Sequence, residues 1–442
     1  MTEQLLNLSP EQLEIFERIK NKQNIFMTGP GGSGKTFLIQ QIYNWYTTNE
    51  PKNIQVCALT GCAALLLQCN AKTIHSWAGI GIANGDVLNV INNVAHNKFK
   101  RKKWLTIDIL IIDEVSMLSS KLLTILDGIG KKVRKNNLPF GGIQLLFSGD
   151  FYQLPPVGNY SEPETMQFCF ESPSWNTLFD KQIELKQIFR QTEQTYSSVL
   201  NQIREGRLSS SGYKLLMSRR ISCNDDTIKP TKILPRRNDA NRINEMEMRS
   251  LVNDERKYTM EIVKTSPDET RRIHLNQEQI KNDLENLKNS LIAESELTLK
   301  VGAQVMCIVN MDTDGTNPIV NGSRGVVIDF TEAGMPIVKF KCGFTKAISY
   351  HIWELEGELE EKKGYGIKQL PLILAWAITI HKSQGSTLEL AEIDIGNGIF
   401  ECGQSYVALS RVKSIDGLYL TSFNPTKIKI SRKVQEYYQS IR

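Results

Sequence analysis

Short apolar runs alternate with longer amphipathic stretches over the first 150 residues, and this rhythm sets the first reading of the chain. Segments 24–28, 53–60, 107–113 and 143–149 are nearly continuous in apolar side chains, as expected of strands covered on both faces. Residues 9–22 place Leu13, Ile15, Phe16 and Ile19 on one helical face, with Ser9 as N-cap and Pro10 in the first helical position. A second helix opens near Thr36. This order predicts a parallel sheet with crossover helices. Residues 84–104 break the rhythm: they are polar, end in Lys98-Phe99-Lys100-Arg101-Lys102-Lys103-Trp104, and read as an inserted loop or small subdomain. The pattern restarts at a strand near Gln182–Leu185. Residues 251–296 are highly charged, with a helical stretch predicted near 275–293. From 297 to 366, Gly302, Gly322, Gly325, Gly334 and Gly343 separate short β-rich runs, the pattern of a small antiparallel barrel. Residues 371–397 return to apolar strand and helix character.

The chain has 442 residues, which suggests two to three domains. Its net charge of +5 fits a nucleic-acid partner without demanding one. Eight cysteines form no CxxC pair and have no His cluster beside them, which disfavours a zinc site or a disulfide framework and points to reduced thiols inside a cell. The first ten residues lack a basic region followed by an apolar run, and no apolar stretch approaches about 20 residues. Neither a signal peptide nor a membrane span is expected.

Gly29-Pro30-Gly31-Gly32-Ser33-Gly34-Lys35-Thr36 matches G-x-x-x-x-G-K-[ST] between a predicted strand and a predicted helix. Glycines let backbone N–H groups turn inward around phosphate oxygens, and the helix N-terminus adds partial positive charge. Lys35 should reach the β- and γ-phosphates of ATP, and the Thr36 hydroxyl should bind Mg²⁺. The bland alternative, an ordinary Gly-rich turn, does not need the full octet in this context. The strand at 109–112 ends in Asp113-Glu114. Asp113 is placed to hold Mg²⁺, through water, and Glu114 to polarise the attacking water. Alone, this pair would read as a solvated strand end.

Five further segments follow in order: Asp113-Glu114-Val115-Ser116-Met117; Gly149-Asp150-Phe151-Tyr152-Gln153-Leu154-Pro155-Pro156; Leu185-Lys186-Gln187-Ile188-Phe189-Arg190-Gln191; Ile380-His381-Lys382-Ser383-Gln384-Gly385-Ser386-Thr387; and Tyr406-Val407-Ala408-Leu409-Ser410-Arg411. Together they resemble the motif ladder of the petite-integration-frequency (Pif) DNA helicases, in the RecD-like branch of superfamily 1, from Ser9 to about Thr421.

The resemblance implies an α/β fold of two RecA-like P-loop NTPase lobes. The first lobe would span 1–180 with a wedge insert at about 78–104. The second would span 181–296 and 367–442, with an SH3-like barrel inserted at 297–366. It implies that Gln153 senses the γ-phosphate, and that Arg190 and Arg411 are donated by the second lobe across a cleft. In isolation both arginines would read as surface residues. Gln12 matches the family's adenine-reading glutamine, yet Ser9 and Gln12 also fit a capping box. Gln384 and Gly385 resemble a motif at the nucleotide edge of the second lobe.

For nucleic acid, the resemblance places Thr60 and Gly61, Thr73 and His75, and His381 along a single strand, where hydroxyls and N–H groups hold phosphates. Each histidine also reads as an ordinary core residue. Trp77 and Trp376 are candidates for base stacking or for the core. Lys98 and Arg101, in the basic run, fit contact with duplex or displaced strand, or a solvated face. The run Lys131–Lys135 reads as a solvated helix end.

The implied activity is ATP-dependent 5′-to-3′ translocation on single-stranded DNA and unwinding of tailed or forked duplexes, by a monomer, in repair, recombination, replication or telomere maintenance. G-quadruplexes and RNA–DNA hybrids are further candidate substrates. The rival readings are a nucleic-acid-stimulated ATPase clamp and an accessory motor without unwinding of its own.

Overall fold

A computed structural model describes residues 8–442 apart from 68, 82, 84, 192, 223–228, 265–280, 282–283, 286, 289–290, 312–318, 320 and 355–364. The chain divides into two compact units. The first comprises 1–221 and 395–442, and the second, 222–394, is inserted between those segments in sequence.

The first unit is built on a six-stranded parallel sheet: β1 (Ile25–Thr28), β2 (Ile54–Ala58), β3 (Lys72–Thr73), β4 (Ile109–Asp113), β5 (Gln144–Gly149) and β6 (Lys181–Glu184), in the order β3-β2-β4-β5-β1-β6. β1, β4 and most of β5 are buried on both faces, which explains their continuous apolar runs. One apolar cluster on the sheet gathers Ile15, Phe16 and Ile19 of α1 (Pro10–Lys20), Leu38, Ile39 and Ile42 of α2 (Lys35–Asn49) and Ala63, Ala64 and Leu67 of α3 (Gly61–Leu67), and the short helix α4 (Ile74–Ala78) follows β3. A second gathers Leu122, Ile125, Leu126 and Ile129 of α7 (Ser120–Arg134) with Phe147, Phe151 and Trp175.

Three readings from sequence change in this fold. β6, expected to open the second lobe, is the edge strand of this first sheet and pairs in parallel with β1, Ile25 opposite Lys181. Where a loop or small subdomain is expected at 84–104, the structure has two helices, α5 (Val87–His96) and α6 (Lys98–Thr106), capped by Asp86 and Asn97 and packed on α7. Trp104, at the end of the basic run, is wholly buried. The helix end at 131–135 is more than solvated. Arg134 donates to the carbonyls of Trp104 and Ile107, both at 3.0 Å, and so satisfies acceptors at the C-terminus of α6.

In the second unit, strands Thr231–Leu234, Ala377–Thr379 and Ala391–Ile395 pair in parallel. An antiparallel meander runs through Gln304–Cys307, Arg324–Phe330, Pro336–Phe340 and Thr345–Ala347, as the glycine-separated runs predicted. The charged stretch is not merely a linker. Arg256–Thr259 pairs with Glu296–Leu299, and Glu261–Lys264 with Tyr365–Gln369, so both ends of that stretch are woven into sheets. Most of the helix predicted near 275–293 lies outside the described residues. Among the described residues no helix is long and apolar enough to cross a membrane.

Candidate nucleotide site and nucleic-acid interface

The glycine-rich loop joins β1 to α2 in the first unit. Gly32 and Gly34 hold φ of +86° and +80°, the left-handed region that favours glycine. A Cβ on Gly32 would sit 2.5 Å from Arg190 Cβ, and one on Gly34 2.6 Å from Gln12 Nε2. Lys35 donates to the carbonyls of Gly29 at 2.7 Å and Pro30 at 3.0 Å. Burial lowers its pKa, while the charges of Asp150, Glu114 and Asp113 oppose that shift. The Ser33 hydroxyl is buried and makes no hydrogen bond among the described residues, while Thr36 is exposed at the start of α2. A tight loop at a helix N-terminus, with a half-buried ammonium and an unsatisfied hydroxyl, is chemically suited to a polyphosphate.

The capping-box reading of Gln12 holds, through one half of its amide. Ser9 N–H donates to Gln12 Oε1 at 2.9 Å and Gln12 N–H to Ser9 Oγ at 3.2 Å, which completes the capping box. Its Nε2 lies 3.4 Å from the Gly34 carbonyl. The oxygen belongs to the cap and the nitrogen faces the phosphate loop.

β4 ends in Asp113, whose burial pushes its carboxyl upward against the charge of Lys35. Glu114 then adopts φ 57° and ψ 39°, uncommon for any residue but glycine. Such a backbone costs about 1–3 kcal/mol and is held by its surroundings. The Glu114 charge acts on Lys35, Arg190 and Arg411 alike. At the end of β5, Gln153 N–H donates to the Asp150 carbonyl at 2.9 Å, and Tyr152 N–H to Asp150 Oδ1 at 3.2 Å. This tight turn holds the buried Gln153.

Arg190 and Arg411 reach the same loop. Arg190 donates to the Ser410 carbonyl at 3.1 Å. Arg411, 2% exposed, donates through Nε to the Val407 carbonyl at 2.9 Å and through Nη2 to Ser410 Oγ at 2.8 Å. Its Nη2 lies 3.6 Å from the point where a Cβ on Gly31 would project. Burial, and then the neighbouring Arg190 charge, lower the Arg411 pKa to about 10, with Glu114 opposing. Both arginines therefore lie beside the phosphate loop within one compact unit.

The motif residues rest on a buried network that sequence reading missed. Arg204 makes a two-point ion pair with Asp150 at 2.9 and 3.0 Å and reaches Glu184 at 3.2 Å. Its guanidinium lies 4.7 Å from the centre of the Tyr152 ring, which stacks on Tyr438 at 4.6 Å. The Tyr438 hydroxyl lies 2.6 Å from Thr28 Oγ1 and accepts from Phe151 N–H at 3.2 Å. Asp150 stood inside a quoted motif, but its partners are 54 and 288 residues away, and no spacing rule points to them.

Of the expected nucleic-acid residues, Thr60 and Gly61 lie just beyond the end of β2. The Thr60 hydroxyl accepts from Ala63 N–H at 3.2 Å. Thr73 caps the short helix Ile74–Ala78 through Ser76 N–H at 3.3 Å. His75 is half-buried, and burial lowers its pKa, which keeps the ring neutral near pH 7. Lys98 and Arg101 are exposed on α6. His381, Gln384 and Gly385 belong to the second unit, at the helix Ile380–Ser383 that Thr379 caps.

Trp77 and Trp376 are core residues, 3% and 6% exposed, and neither presents a free face for stacking. Trp77 packs on Trp104 at 4.7 Å. Trp77→Ala should therefore cost about 3–5 kcal/mol of stability in chemical denaturation, the usual loss for a large buried aromatic. A variant of unchanged stability that binds single strands more weakly would contradict this placement.

A parallel sheet whose first strand feeds a phosphate loop, with paired acids at the end of the strand one place removed from it, defines a P-loop NTPase of RecA-like build. A family model described as PIF1-like helicase matches residues 7–213, and one described as DNA helicase Pif1, 2B domain, matches 283–330. The ATP-dependent DNA helicase PIF1 of Danio rerio is 36% identical over 98% of this chain, which spans 64% of that protein's length. The crystal structure of Pif1 helicase from Candida albicans aligns with a TM-score of 0.79 at 34% identity, covering 98% of this chain and 99% of that one. A Bacteroides Pif1 helicase in complex with ADP-AlF3 and single-stranded DNA aligns with a TM-score of 0.67 at 29% identity, covering 98% and 96%. The chain belongs to the PIF1-like helicase family, and its fold is the two-RecA-lobe α/β fold of Pif1 helicases.

Proposed function

We propose that this protein is an ATP-dependent DNA helicase that translocates 5′ to 3′ on single-stranded DNA and unwinds tailed or forked duplexes as a monomer. The observation that carries the reading is the convergence of Lys35, Glu114, Arg190 and Arg411 on one phosphate loop, from motifs scattered over nearly 400 residues. The ADP-AlF3 and single strand bound by the Bacteroides relative support it.

In this reading the loop amides and Lys35 hold the β- and γ-phosphates. Thr36 and Asp113 hold Mg²⁺, which neutralises phosphate charge. Glu114 polarises the attacking water and Gln153 places it. Arg190 and Arg411 stabilise charge on the transferring phosphoryl group. Gln12 borders the adenine base. Thr60, Gly61, Thr73, His75 and His381 grip the strand without reading sequence, and Lys98 and Arg101 meet duplex phosphates. The biological settings are those of the family: repair, recombination, replication and telomere maintenance.

The test is ATP- and Mg²⁺-dependent unwinding of matched duplexes with a 5′ or a 3′ tail. The expected result is unwinding of the 5′-tailed duplex alone, abolished by Lys35→Ala. Strand-stimulated ATPase with neither duplex unwound would replace the helicase reading by an ATPase clamp or a partner-dependent motor.

A further inference from the structure

We infer that Tyr406 is a nucleotide-contacting residue, whose phenolic O–H donates to the terminal phosphate of a bound nucleoside triphosphate and so distinguishes triphosphate from diphosphate. This rests on the nucleotide site proposed above.

Tyr406 lies on the helix Gln404–Leu409, in the segment that ends at Arg411, and is 2% exposed. Its hydroxyl accepts the Gly31 N–H at 2.7 Å, a contact between residues 375 apart in sequence. That bond uses one of the oxygen's lone pairs and leaves the proton to be donated. Among the described residues no acceptor takes that proton. Burial also pushes the phenol's pKa up, with the Asp150 charge adding to the shift, so the group stays a neutral donor at any working pH. A buried donor without an acceptor is costly, and such groups in native proteins call for an explanation.

Position supplies the explanation. The Tyr406 hydroxyl and Arg411 Nη2 lie 3.5 and 3.6 Å from the point where a Cβ on Gly31 would project. Phenol and guanidinium thus flank the same residue of the phosphate loop. Two more buried polar atoms there, Ser33 Oγ and Gln191 Oε1, also make no hydrogen bond among the described residues. Gln191 Oε1 sits 3.4 Å from where a Cβ on Gly32 would lie. A tetrahedral oxyanion between Gly31 and Arg411 would give the phenolic proton its acceptor. A diphosphate, which lacks the outermost group, would not.

A purely structural peg predicts something else. If Tyr406 only braces the loop, losing its hydroxyl would weaken all nucleotides together. The experiment is equilibrium binding of AMP-PNP and of ADP, each with Mg²⁺, to the full chain and to Tyr406→Phe, with melting temperatures measured alongside. The expected result is AMP-PNP affinity lowered about ten- to hundredfold, the loss of one hydrogen bond to a charged group, with ADP affinity held within about twofold. Equal losses for both nucleotides, or no loss for either, would overturn the inference. Should Tyr406→Phe fold poorly, 3-fluorotyrosine at position 406 alone gives the second measurement. Its ¹⁹F resonance should shift with AMP-PNP and not with ADP, and the same response to both would count against the assignment. If the parent chain binds neither nucleotide, the nucleotide-site reading itself falls, and Tyr406 falls with it.

Discussion

Arg411→Ala should lower the turnover of strand-stimulated ATP hydrolysis by about 10³-fold, the magnitude that arginine fingers supply in phosphoryl transfer. The guanidinium is held in advance by the Val407 carbonyl and the Ser410 hydroxyl, so it is aimed before the reaction begins. A pKa of about 10 leaves it charged at neutral pH. Arg411→Lys should recover little, because an ammonium cannot reproduce the planar fork that these two acceptors fix. Stability should move the other way. The folded pKa lies below the unfolded value, so the protonated group weakens the fold at all pH below about 10, and that penalty fades only as pH rises towards the ordinary arginine value. Removing the side chain also removes its repulsion with Arg190. Steady-state kinetics at saturating single strand, with thermal melts, read both effects. A loss under about tenfold would remove Arg411 from the phosphoryl-transfer machinery.

Arg204→Ala should be the most damaging single change to the fold itself. It leaves the Asp150 carboxylate, 0% exposed, without its two-point partner, and breaking a buried pair in this way costs about 3–5 kcal/mol. The loss should reach the site, because Asp150 shapes the turn that holds Gln153. Asp150→Asn combined with Arg204→Met should recover much of the stability, since the uncompensated charge is then gone. Urea denaturation of the two variants beside the parent chain decides the matter. If Arg204→Ala costs under about 1 kcal/mol, the pair is no keystone.

What could be read from sequence was chemistry carried by consecutive residues. The phosphate loop needs its glycines, lysine and threonine side by side, and the acidic pair needs a buried strand before it, so both are local patterns. β6 was readable as a strand but not as part of the first sheet. Its register against β1 is a tertiary fact, and its Lys-Gln-Ile-Glu alternation is that of any half-exposed edge. The basic run at 98–103 leaves loop and small subdomain both open in the sequence, because its charges hide the helical face. Trp104 supplies the only buried residue on α6, too little to show a period. Trp77 was open between stacking and core because a tryptophan's neighbours are not in its sequence. Arg204 had no motif at all, since an ion pair is a relation between distant residues.

The helix Arg432–Ile441 has a bearing on how the protein is made. Val434 and Tyr438 are members of the apolar cluster that also holds Phe26, Phe147, Phe151 and Trp175. During synthesis those aromatic residues leave the ribosome more than 250 residues before the helix that covers them. The nascent first unit must wait, with one face of its sheet unsealed, while the whole inserted unit is translated. Chaperone engagement should therefore persist until position 438 has emerged, and a ribosome stalled before it should display a sticky, protease-sensitive intermediate.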